Sequence, residues 1–325
     1  MKKIAILILV HKAPQQLLRL INRFNSDKFD VFVHLDSKSD DRLFDDVRRK
    51  CNNNVYFLDK RIDTQLVDFS LVDATLELVK AASAKNRYLY YTLLTGQDYP
   101  IKSPDYIYSF LCENYPMSYI DMYSCDEAYS RGVLWTGKLG NYYYSQKIRR
   151  FFRKLVGYKF YYSRKGHYTV RLFSNIYDRV VSLFCKSPRE EIKQTKYTYS
   201  FGSHFWILPD DAVNFLMDTY SHDRKINKIF SHIAAPEESY FQTVLSAFSN
   251  IMIPEQYSQF SSPDDAMDNP ALRLIKWYEN GKSTNGHPAI WKIEDIDYIK
   301  SRKALFARKF DLEVDSRILD SLDSI

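Results

Sequence analysis

The segment Ala235–Leu245, with the sequence APEESYFQTVL, contains the residues best suited to chemistry. Pro236 fits the first turn of a helix, because its φ angle is fixed and its missing N–H would have no partner there. Glu237 and Glu238 follow in that turn, where a helix dipole stabilises an ionised carboxylate. Such a carboxylate can act as a general base, but acids in a first turn more often only offset the dipole. The segment by itself leaves both interpretations open.

Other polar residues occur where strands are expected to end or where aromatic residues flank cations. Asp98, in LLTGQDYPIKS, either serves a binding site or bonds its own backbone in a turn. Asp36, in HLDSKSDD, either accepts hydrogen bonds from a nucleotide or caps the helix that follows. Arg308 and Lys309, in LFARKFD, either bind a diphosphate or form a solvated pair on an amphipathic segment.

The sequence contains no motif for a metal site or a phosphate-binding loop. The place of a metal-binding D-x-D motif reads Asp36-Ser37-Lys38, and a lysine there repels a divalent cation. The histidines form no HxxxH or HExxH pair, and no GxGxxG or GxxxxGK[ST] occurs. We therefore expect neither a metal nor a cofactor. The four cysteines form no CxxC pair, and unpaired thiols are typical of a cytosolic protein.

These residues must be positioned by an α/β fold. The predicted strands are Ile4–Val10, Asp30–Leu35, Asn54–Leu58 and Tyr88–Leu94. The predicted helices are Pro14–Phe24, Asp41–Lys50 and Ser70–Ala82, with Ser70 as an N-cap. This alternation predicts a mostly parallel central sheet flanked by helices, with ligands beyond the carboxyl ends of the strands. His11, Asp36 and Asp98 would all lie at that edge.

With 325 residues, 45% of them hydrophobic and 26% charged, the chain is predicted to form a single domain, 1–325. Its halves would be 1–120 and 198–325, with a basic aromatic insertion at 121–197. The second half is predicted to hold a strand, a helix from about Asp210 and a strand at Ile251–Ile253. The apolar run 4–10 is too short for a membrane span and is expected to be a buried strand.

Residues 147–171 combine aromatic and basic side chains, in a chain whose net charge is +6. The segment could bind nucleic acid, through cations for phosphates and aromatic rings for stacking. It could lie on an anionic bilayer. It could also be an insertion whose Lys and Arg stems cover apolar surface, and this structural interpretation is favoured. Contact with a membrane or a lipid-linked substrate is favoured over nucleic acid.

Taken in order, eight segments resemble the core-2/I-branching β-1,6-N-acetylglucosaminyltransferases, to which the peptide O-xylosyltransferases are related. They are ILVHKAPQQLLRL, FVHLDSKSD, FSLVDATL, LLTGQDYPIKS, FGSHFW, PEESYFQTVL, GHPAIW and LFARKFD. The similarity extends from Ile4 to Asp311 and is strongest to the bacterial branch. It implies a GT-A-type nucleotide-sugar-binding fold and an inverting glycosyltransferase that uses a UDP-sugar without a metal ion.

The resemblance also implies roles for individual residues. Glu238, the final acid of the Pro-acid-Glu motif, would be the base, and Lys309 of the LFA-x-KF motif would bind the diphosphate. Asp36 would lie on the uridine side, and His11 would line the loop before it. We further expect Asp98, Arg308 and Lys292 on the donor side, and Glu237, Trp206 and Trp277 on the acceptor side. Residues 1–120 would then form the nucleotide-sugar-binding half, and residues 198–325 the acceptor and catalytic half. Animal members carry a second diphosphate-binding arginine, where this chain has Gly286–Ala289.

The expected function is transfer of a sugar, N-acetylglucosamine in first place, to a hydroxyl of a glycan in bacterial surface polysaccharide synthesis. The expected partners are a UDP-sugar and a glycan or lipid-linked glycan, with no nucleic acid. The enzyme is expected in the cytoplasm, with peripheral contact to the inner face of the membrane through residues 147–171. The alternatives are a non-catalytic nucleotide-sugar or glycan-binding protein of the same fold and a UDP-xylose-dependent xylosyltransferase.

Overall fold

The computed structural model describes most of the chain. The described residues are 2–130, 139–161, 163–254, 268–279, 282–283 and 288–325. The strands are β1 Ile4–Val10, β2 Phe29–Leu35, β3 Val55–Phe57, β4 Tyr90–Thr95, β5 Asp98–Pro100, β6 Tyr119–Ile120, β7 Trp206–Pro209, β8 Asp268–Asn269, β9 Arg273–Ile275, β10 Tyr278–Glu279, β11 Lys282–Ser283 and β12 Phe306–Arg308.

Helices connect and flank these strands. The α-helices are α1 Pro14–Asn22, α2 Asp45–Lys50, α3 Ser70–Lys85, α4 Pro104–Glu113, α5 Cys125–Ser130, α6 Gln146–Val156, α7 Tyr158–Tyr161, α8 Arg164–Ser182, α9 Pro188–Ile192, α10 Asp210–His222, α11 Arg224–Phe230, α12 Tyr240–Leu245, α13 Ile296–Ser301 and α14 Arg317–Asp323. Short 3₁₀ turns occur at Asp41–Phe44, Pro236–Glu238 and Ile293–Asp295. Among the described helices, none is both long and apolar enough to cross a bilayer.

The central sheet has the strand order β3-β2-β1-β4-β7-β6. Its first four strands are parallel, whereas β7 pairs antiparallel with both β4 and β6. Every residue of β1 is buried, because helices cover both faces of the sheet. Alternate β1 side chains enter different hydrophobic cores: Ile6 and Ile8 pack on one face, Ala5 and Leu7 on the other. The predicted α/β architecture with a mostly parallel sheet is therefore confirmed.

A second sheet, of order β5-β12-β9-β8, joins the far end of the chain to the first half. Strand β12 runs antiparallel to β5 and parallel to β9. Its register places Arg308 opposite Asp98 on one side and opposite Ile275 on the other. This pairing brings the LFARKFD motif beside the loop that follows β4.

Several predicted boundaries need correction. Ser70 is the first residue of α3 and not its N-cap, which is Phe69. The Ser70 hydroxyl instead accepts a hydrogen bond from the Gln65 backbone N–H at 2.9 Å, so it stabilises the preceding loop. Ile251–Ile253 forms no strand. Ile251 and Ile253 pack partly buried against the core, whereas Met252 is exposed, so packing and not strand pairing accounts for this run.

Much of the described part of the insertion is helical. The Ser145 hydroxyl accepts from the Ile148 N–H at the start of α6, and the Ser163 hydroxyl accepts from the Gly166 N–H at the start of α8. These N-caps satisfy donors that the first helical turn leaves unpaired. The segment with little sequence periodicity therefore consists largely of two capped helices, α6 and α8, with the short α7 between them.

Candidate active site

The carboxyl ends of β1, β2 and β4 meet at one edge of the central sheet, as predicted. The Asp36 N–H donates to the Val10 carbonyl at 2.9 Å, and the Gly96 N–H donates to the Leu9 carbonyl at 3.0 Å. A Cβ on Gly96 would lie 2.8 Å from Val10 Cγ2, so this close approach requires glycine. The three loops thus form a continuous polar edge.

Asp36 is buried at this edge and holds a lysine. Its carboxylate accepts from the Lys38 backbone N–H at 2.8 Å and from Lys38 Nζ at 3.0 Å, and from the Thr64 hydroxyl. Lys38 Nζ also donates to Asp63 at 2.7 Å. The Lys38 ammonium group therefore occupies the sequence position at which a D-x-D motif has its second carboxylate. Among the described residues, His, Cys, Asp and Glu form no group of three that could hold a metal ion.

His11 lies on the loop after β1 and is exposed to solvent. Its carbonyl accepts from the Ser39 hydroxyl at 2.7 Å, which joins the first two loops. Although the side chain keeps an exposed surface, desolvation by the surrounding protein and the nearby charge of Lys12 lower the pKa of His11, and Asp36 opposes this shift. The imidazole is therefore neutral at pH 7 and can both donate and accept a hydrogen bond.

Three cations converge where β12 ends. Burial lowers the pKa of Lys309, and the positive charges of Lys12 and Arg308 lower it further. Arg308 donates to the Thr95 hydroxyl, and Lys12 lies 3.8 Å from Asp311. Because these neighbouring charges disfavour the charged form of Lys309, an anionic ligand bound here would stabilise it. We call Lys12, Arg308 and Lys309 the cationic cluster.

Asp98 is fully buried, with 0% of its surface exposed, beneath the cationic cluster. It accepts from the backbone N–H and the hydroxyl of Thr95 and lies 3.5 Å from Arg273 and 3.7 Å from Arg308. Direct contact of Asp98 with a bound donor stays a prediction, although its carboxylate has no exposed surface in this structure. Its position suits holding Arg308 in place.

Arg273 was not singled out from the sequence, yet it is the arginine at the centre of this arrangement. It is 0% exposed, donates to the Leu93 carbonyl at 2.9 Å and lies 4.7 Å from the centre of the Phe205 ring. Burial lowers its pKa to about 10, while Asp98 opposes the shift. In the sequence, the apolar neighbours of Arg273 in ALRLI were a signal that this arginine is buried. That signal was insufficient for a prediction, because arginine is usually exposed.

Replacing Asp98 with asparagine should destabilise the protein by about 3–5 kcal/mol, because it leaves the buried Arg273 without its counter-charge. Urea denaturation followed by circular dichroism would measure this loss. Asp105→Asn is the matched control, since its pair with Lys28 lies on the surface and is screened by water. Equal stability losses for the two variants would contradict the assignment of Asp98 to the buried network.

Gln16 is a second residue that the sequence did not single out. Its Nε2 donates to the Gly96 carbonyl at 2.9 Å and to the Phe310 carbonyl at 3.0 Å, and its Oε1 accepts from the Leu312 N–H at 3.1 Å. One buried side chain thus joins α1, the loop after β4 and the end of the LFARKFD motif. A helical glutamine gives no sequence signal of this role, since its partners lie far along the chain.

The predicted helix start at Pro236 is wrong in detail. Pro236–Glu238 forms a 3₁₀ turn, and α12 begins only at Tyr240, with Ser239 as its N-cap. The Glu238 carbonyl accepts from the Gly202 N–H at 2.9 Å, a tertiary contact that replaces a helical hydrogen bond. Glu238 still lies just before the N-terminus of α12.

The two glutamates of this turn differ in environment. Glu237 is 8% exposed, whereas Glu238 is partly open to solvent. A base must reach the proton that it removes, so the accessible Glu238 suits that role better. Acceptor contact by Glu237 stays a prediction and would have to occur through its small exposed fraction.

The loop of the FGSHFW motif connects this turn to the cationic cluster. A Cβ on Gly202 would lie 1.7 Å from the Asp121 carbonyl oxygen, so only glycine fits beside Glu238. Phe205 lies at the other end of the loop, 5.3 Å from the Arg308 guanidinium. Between them, burial and the charge of Arg308 lower the pKa of His204 to about 3. A short, tightly packed loop therefore links Glu238 with Arg308.

The predicted acceptor tryptophans occupy different environments. Trp206 is 0% exposed in β7 and packs against Phe241 at 5.8 Å between ring centres. Acceptor binding by Trp206 stays a prediction, although its ring has no exposed surface in this structure. Trp277 follows β9 directly and is partly exposed, so acceptor contact by Trp277 stays a prediction.

Lys292 follows Trp291, which is anchored to the cationic cluster. The Trp291 backbone N–H donates to the Lys309 carbonyl at 2.9 Å, and its indole N–H donates to the Arg308 carbonyl at 2.8 Å. Lys292 is thereby brought near the end of β12, and its role in donor binding stays a prediction. Residues 284–287, which include part of the segment compared with the animal arginine, lie outside the described residues.

The fold and the site together define a class of protein. A mostly parallel α/β sheet carries the cationic cluster at its carboxyl edge, and a short loop links this cluster to an accessible carboxylate. This combination of a carboxylate and cations is typical of an enzyme that acts on an anionic ligand. The family model described as Branch, Core-2/I-Branching enzyme, matches residues 4–300. The chain therefore belongs to the core-2/I-branching enzyme family, which is a family of glycosyltransferases.

Similarity to solved structures is weaker. The crystal structure of S. aureus TarS 1-349 is 16% identical in sequence, with a TM-score of 0.27. The match covers 38% of this chain and 36% of that chain, so it carries no argument about function. A comparison with curated proteins finds no match. The predicted family is confirmed, whereas the bacterial branch and the relation to xylosyltransferases stay predictions.

Proposed function

We propose that the protein is an inverting glycosyltransferase of the GT-A type that moves a sugar from a UDP-sugar to a hydroxyl of a glycan acceptor. The observation that carries the proposal is the FGSHFW loop. Its Gly202 end bonds Glu238, and its Phe205 end lies against Arg308 of the cationic cluster. A base for the acceptor and cations for the leaving diphosphate thus sit on one rigid frame, as a displacement at an anomeric carbon requires.

In the proposed reaction Glu238 acts as the general base. Its carboxylate accepts the proton of the acceptor hydroxyl while that oxygen forms a bond to the sugar C1. The bond between C1 and the β-phosphate oxygen breaks, and its electron pair leaves with UDP. Attack from the face opposite the nucleotide inverts the anomeric configuration. The N-terminus of α12 favours the ionised form of Glu238 that this step needs.

The cationic cluster stabilises the departing diphosphate in this mechanism. Negative charge develops on the β-phosphate as the bond breaks, and Lys309, assisted by Arg308 or Lys292, would meet it. The Lys38 ammonium on Asp36 supports a reaction without a divalent ion, because it takes the position of a second carboxylate ligand. Asp36 and His11 would then border the nucleoside.

We further propose N-acetylglucosamine as the donor sugar and a growing surface polysaccharide, free or lipid-linked, as the acceptor. These assignments rest on the sequence resemblance to the acetylglucosaminyltransferases of the family. The enzyme would act on the cytoplasmic side of the membrane, where UDP-sugars are made and where unpaired cysteines stay reduced.

A panel of UDP-sugars tests the proposal. We expect slow hydrolysis of one donor, with release of UDP, and a rise in melting temperature with the same donor. Both results should be unchanged by an excess of EDTA, since the cationic cluster replaces the metal. Loss of UDP release in EDTA, restored by Mn²⁺ or Mg²⁺, would contradict metal independence. Thermal stabilisation without release, even with glycan acceptors present, would indicate a binding protein.

A further inference from the structure

Helix α8 is amphipathic in the reverse of the usual sense. Its inward face carries Ser174 and Asp178, each 0% exposed. Its outward face carries large apolar side chains that are open to solvent, including those just beyond its end. They are Leu172, Phe173, Ile176, Tyr177, Val180, Leu183 and Phe184. These residues are one, three or four positions apart, so their side chains lie on the same face and form one stripe along the helix.

Helix α6 has the same inverted pattern. Gln146, Arg149 and Arg153 point inward and are buried, whereas Phe151 and Leu155 point outward and are exposed. A surface helix of a globular protein normally buries its apolar face and exposes its charges. In α6 and α8 the apolar face is exposed and the charged face is buried. This inverted pattern in two neighbouring helices indicates that another apolar surface contacts their outer face.

Buried polar contacts hold the two helices in this orientation. Arg149 pairs with Asp178 and donates to Asn175 Oδ1 at 2.6 Å, and Asp178 also accepts from the Ser145 N–H at 2.9 Å. Breaking such a buried pair by rotating either helix would leave uncompensated charges in the interior. The apolar side chains therefore remain outside, and we call the exposed apolar residues of 151–184 the apolar stripe.

The charge around the apolar stripe is strongly positive. Residues 142–186 contain eleven Lys or Arg and a single carboxylate, the buried Asp178. The net charge of this segment is +10, so the rest of the chain, at a total of +6, carries −4. Among the described side chains of the segment, the exposed cations are Lys147, Arg150, Lys154, Lys159, Lys165, Arg179 and Lys186.

We propose that α6–α8 form a docking surface for an anionic lipid bilayer. The apolar stripe would enter the boundary between headgroups and acyl chains, and the surrounding cations would bind anionic headgroups. Leu183 and Phe184, at 79% and 83% exposure, would insert most deeply. This surface extends past the predicted segment 147–171, since its most exposed apolar residues follow α8. Charge decides against a second copy as occupant, because two surfaces of the same sign repel each other.

The docking surface adjoins the donor side of the site. Arg150 and Arg153 bind Asp68 at 2.7 and 3.3 Å. Asp68 belongs to the same loop as Asp63, which binds Lys38 beside Asp36. Membrane binding would therefore place the sheet edge close to the bilayer. If the proposed transferase reaction is right, this geometry favours a lipid-linked glycan acceptor, and this last step rests on the proposed function.

Flotation of the full-length protein with vesicles tests the docking surface. The vesicles contain phosphatidylcholine alone or with about 30% phosphatidylglycerol, an anionic fraction sufficient to attract polybasic segments. We expect flotation only with the anionic vesicles, and less at high salt. Leu183→Ser with Phe184→Ser should abolish it. Lys154→Gln with Lys159→Gln should weaken it at least about tenfold, since each cation contributes about fivefold.

Leu43→Ser is the matched control, because Leu43 is an exposed apolar residue outside the docking surface. It should float as the unchanged protein does. UDP release without vesicles should be the same for all these variants, so a failed transferase reaction and failed membrane binding are distinguished. No flotation with anionic vesicles would overturn the proposal. So would a stable dimer in sedimentation that Leu183→Ser with Phe184→Ser converts to monomers, because a second copy would then cover the stripe.

Discussion

Replacing Glu238 with glutamine is expected to lower kcat by about 10²–10⁴-fold, which is the usual contribution of a general base. Glutamine keeps the size and the polarity of the side chain but cannot accept the hydroxyl proton. The Gly202 contact uses the Glu238 carbonyl, so the loop should keep its place in the variant. Steady-state kinetics with UDP-sugar and acceptor would give kcat, and calorimetry would show donor binding unchanged.

Glu237→Gln is the control for this experiment. The two residues are adjacent and carry the same charge, but Glu237 is mostly buried whereas Glu238 is open to solvent. We expect Glu237→Gln to retain kcat within about tenfold. A negative charge near a helix N-terminus typically contributes about 1 kcal/mol or less of electrostatic stabilisation. Turnover by Glu238→Gln at the unchanged rate would remove the assigned base. A reversal of the two effects would transfer that role to Glu237.

Replacing Lys309 with glutamine is expected to lower kcat/KM by about 10²–10³-fold, comparable to the removal of one preorganised group that stabilises transition-state charge. Lys309 shares the end of β12 with Arg308, and the cationic cluster is the described group of residues best placed to meet a leaving diphosphate. Lys303→Gln, an exposed lysine of the same region, should leave kcat/KM unchanged. A loss with Lys303→Gln equal to that with Lys309→Gln would indicate a general charge effect.

The pH dependence of kcat/KM provides a second measurement on Lys309. Burial and neighbouring cations lower its pKa in the free enzyme, so its charge is lost at a lower pH than that of an ordinary lysine at 10.5. Activity should therefore fall on the alkaline side, below pH 10.5, as Lys309 deprotonates. Lys309→Arg should move this fall to higher pH, because a guanidinium stays protonated. An alkaline limb at the same pH in both proteins would mean that another group titrates.

The central sheet was predictable because its strands have a simple sequence signature. β1 is buried on both faces and therefore appears as an unbroken apolar run, and the helix after it starts at Pro14. The same pattern placed His11, Asp36 and the loop after β4 at one edge. What the pattern could not predict was the depth of each residue. Asp98 and Trp206 were assigned to ligands, yet tertiary packing buries both.

The insertion shows the opposite case. Its apolar residues do recur at helical spacing in α8, but they mark the exposed face and not the buried one. Sequence alone could not show which face of these helices points inward. The structure resolves this ambiguity through Arg149 and Asp178, which must face each other inside.

The sequence by itself determined the family and the strand–helix alternation of the first third of the chain, since these depend on local composition and on motifs. Tertiary structure decided the rest. It moved Glu238 from a helix into a 3₁₀ turn, because Gly202 binds its carbonyl. It made Arg273 and Gln16 part of the site through partners far along the chain. A sequence states which residues are available, but hydrogen bonds between distant segments decide which of them are buried and which can reach a substrate.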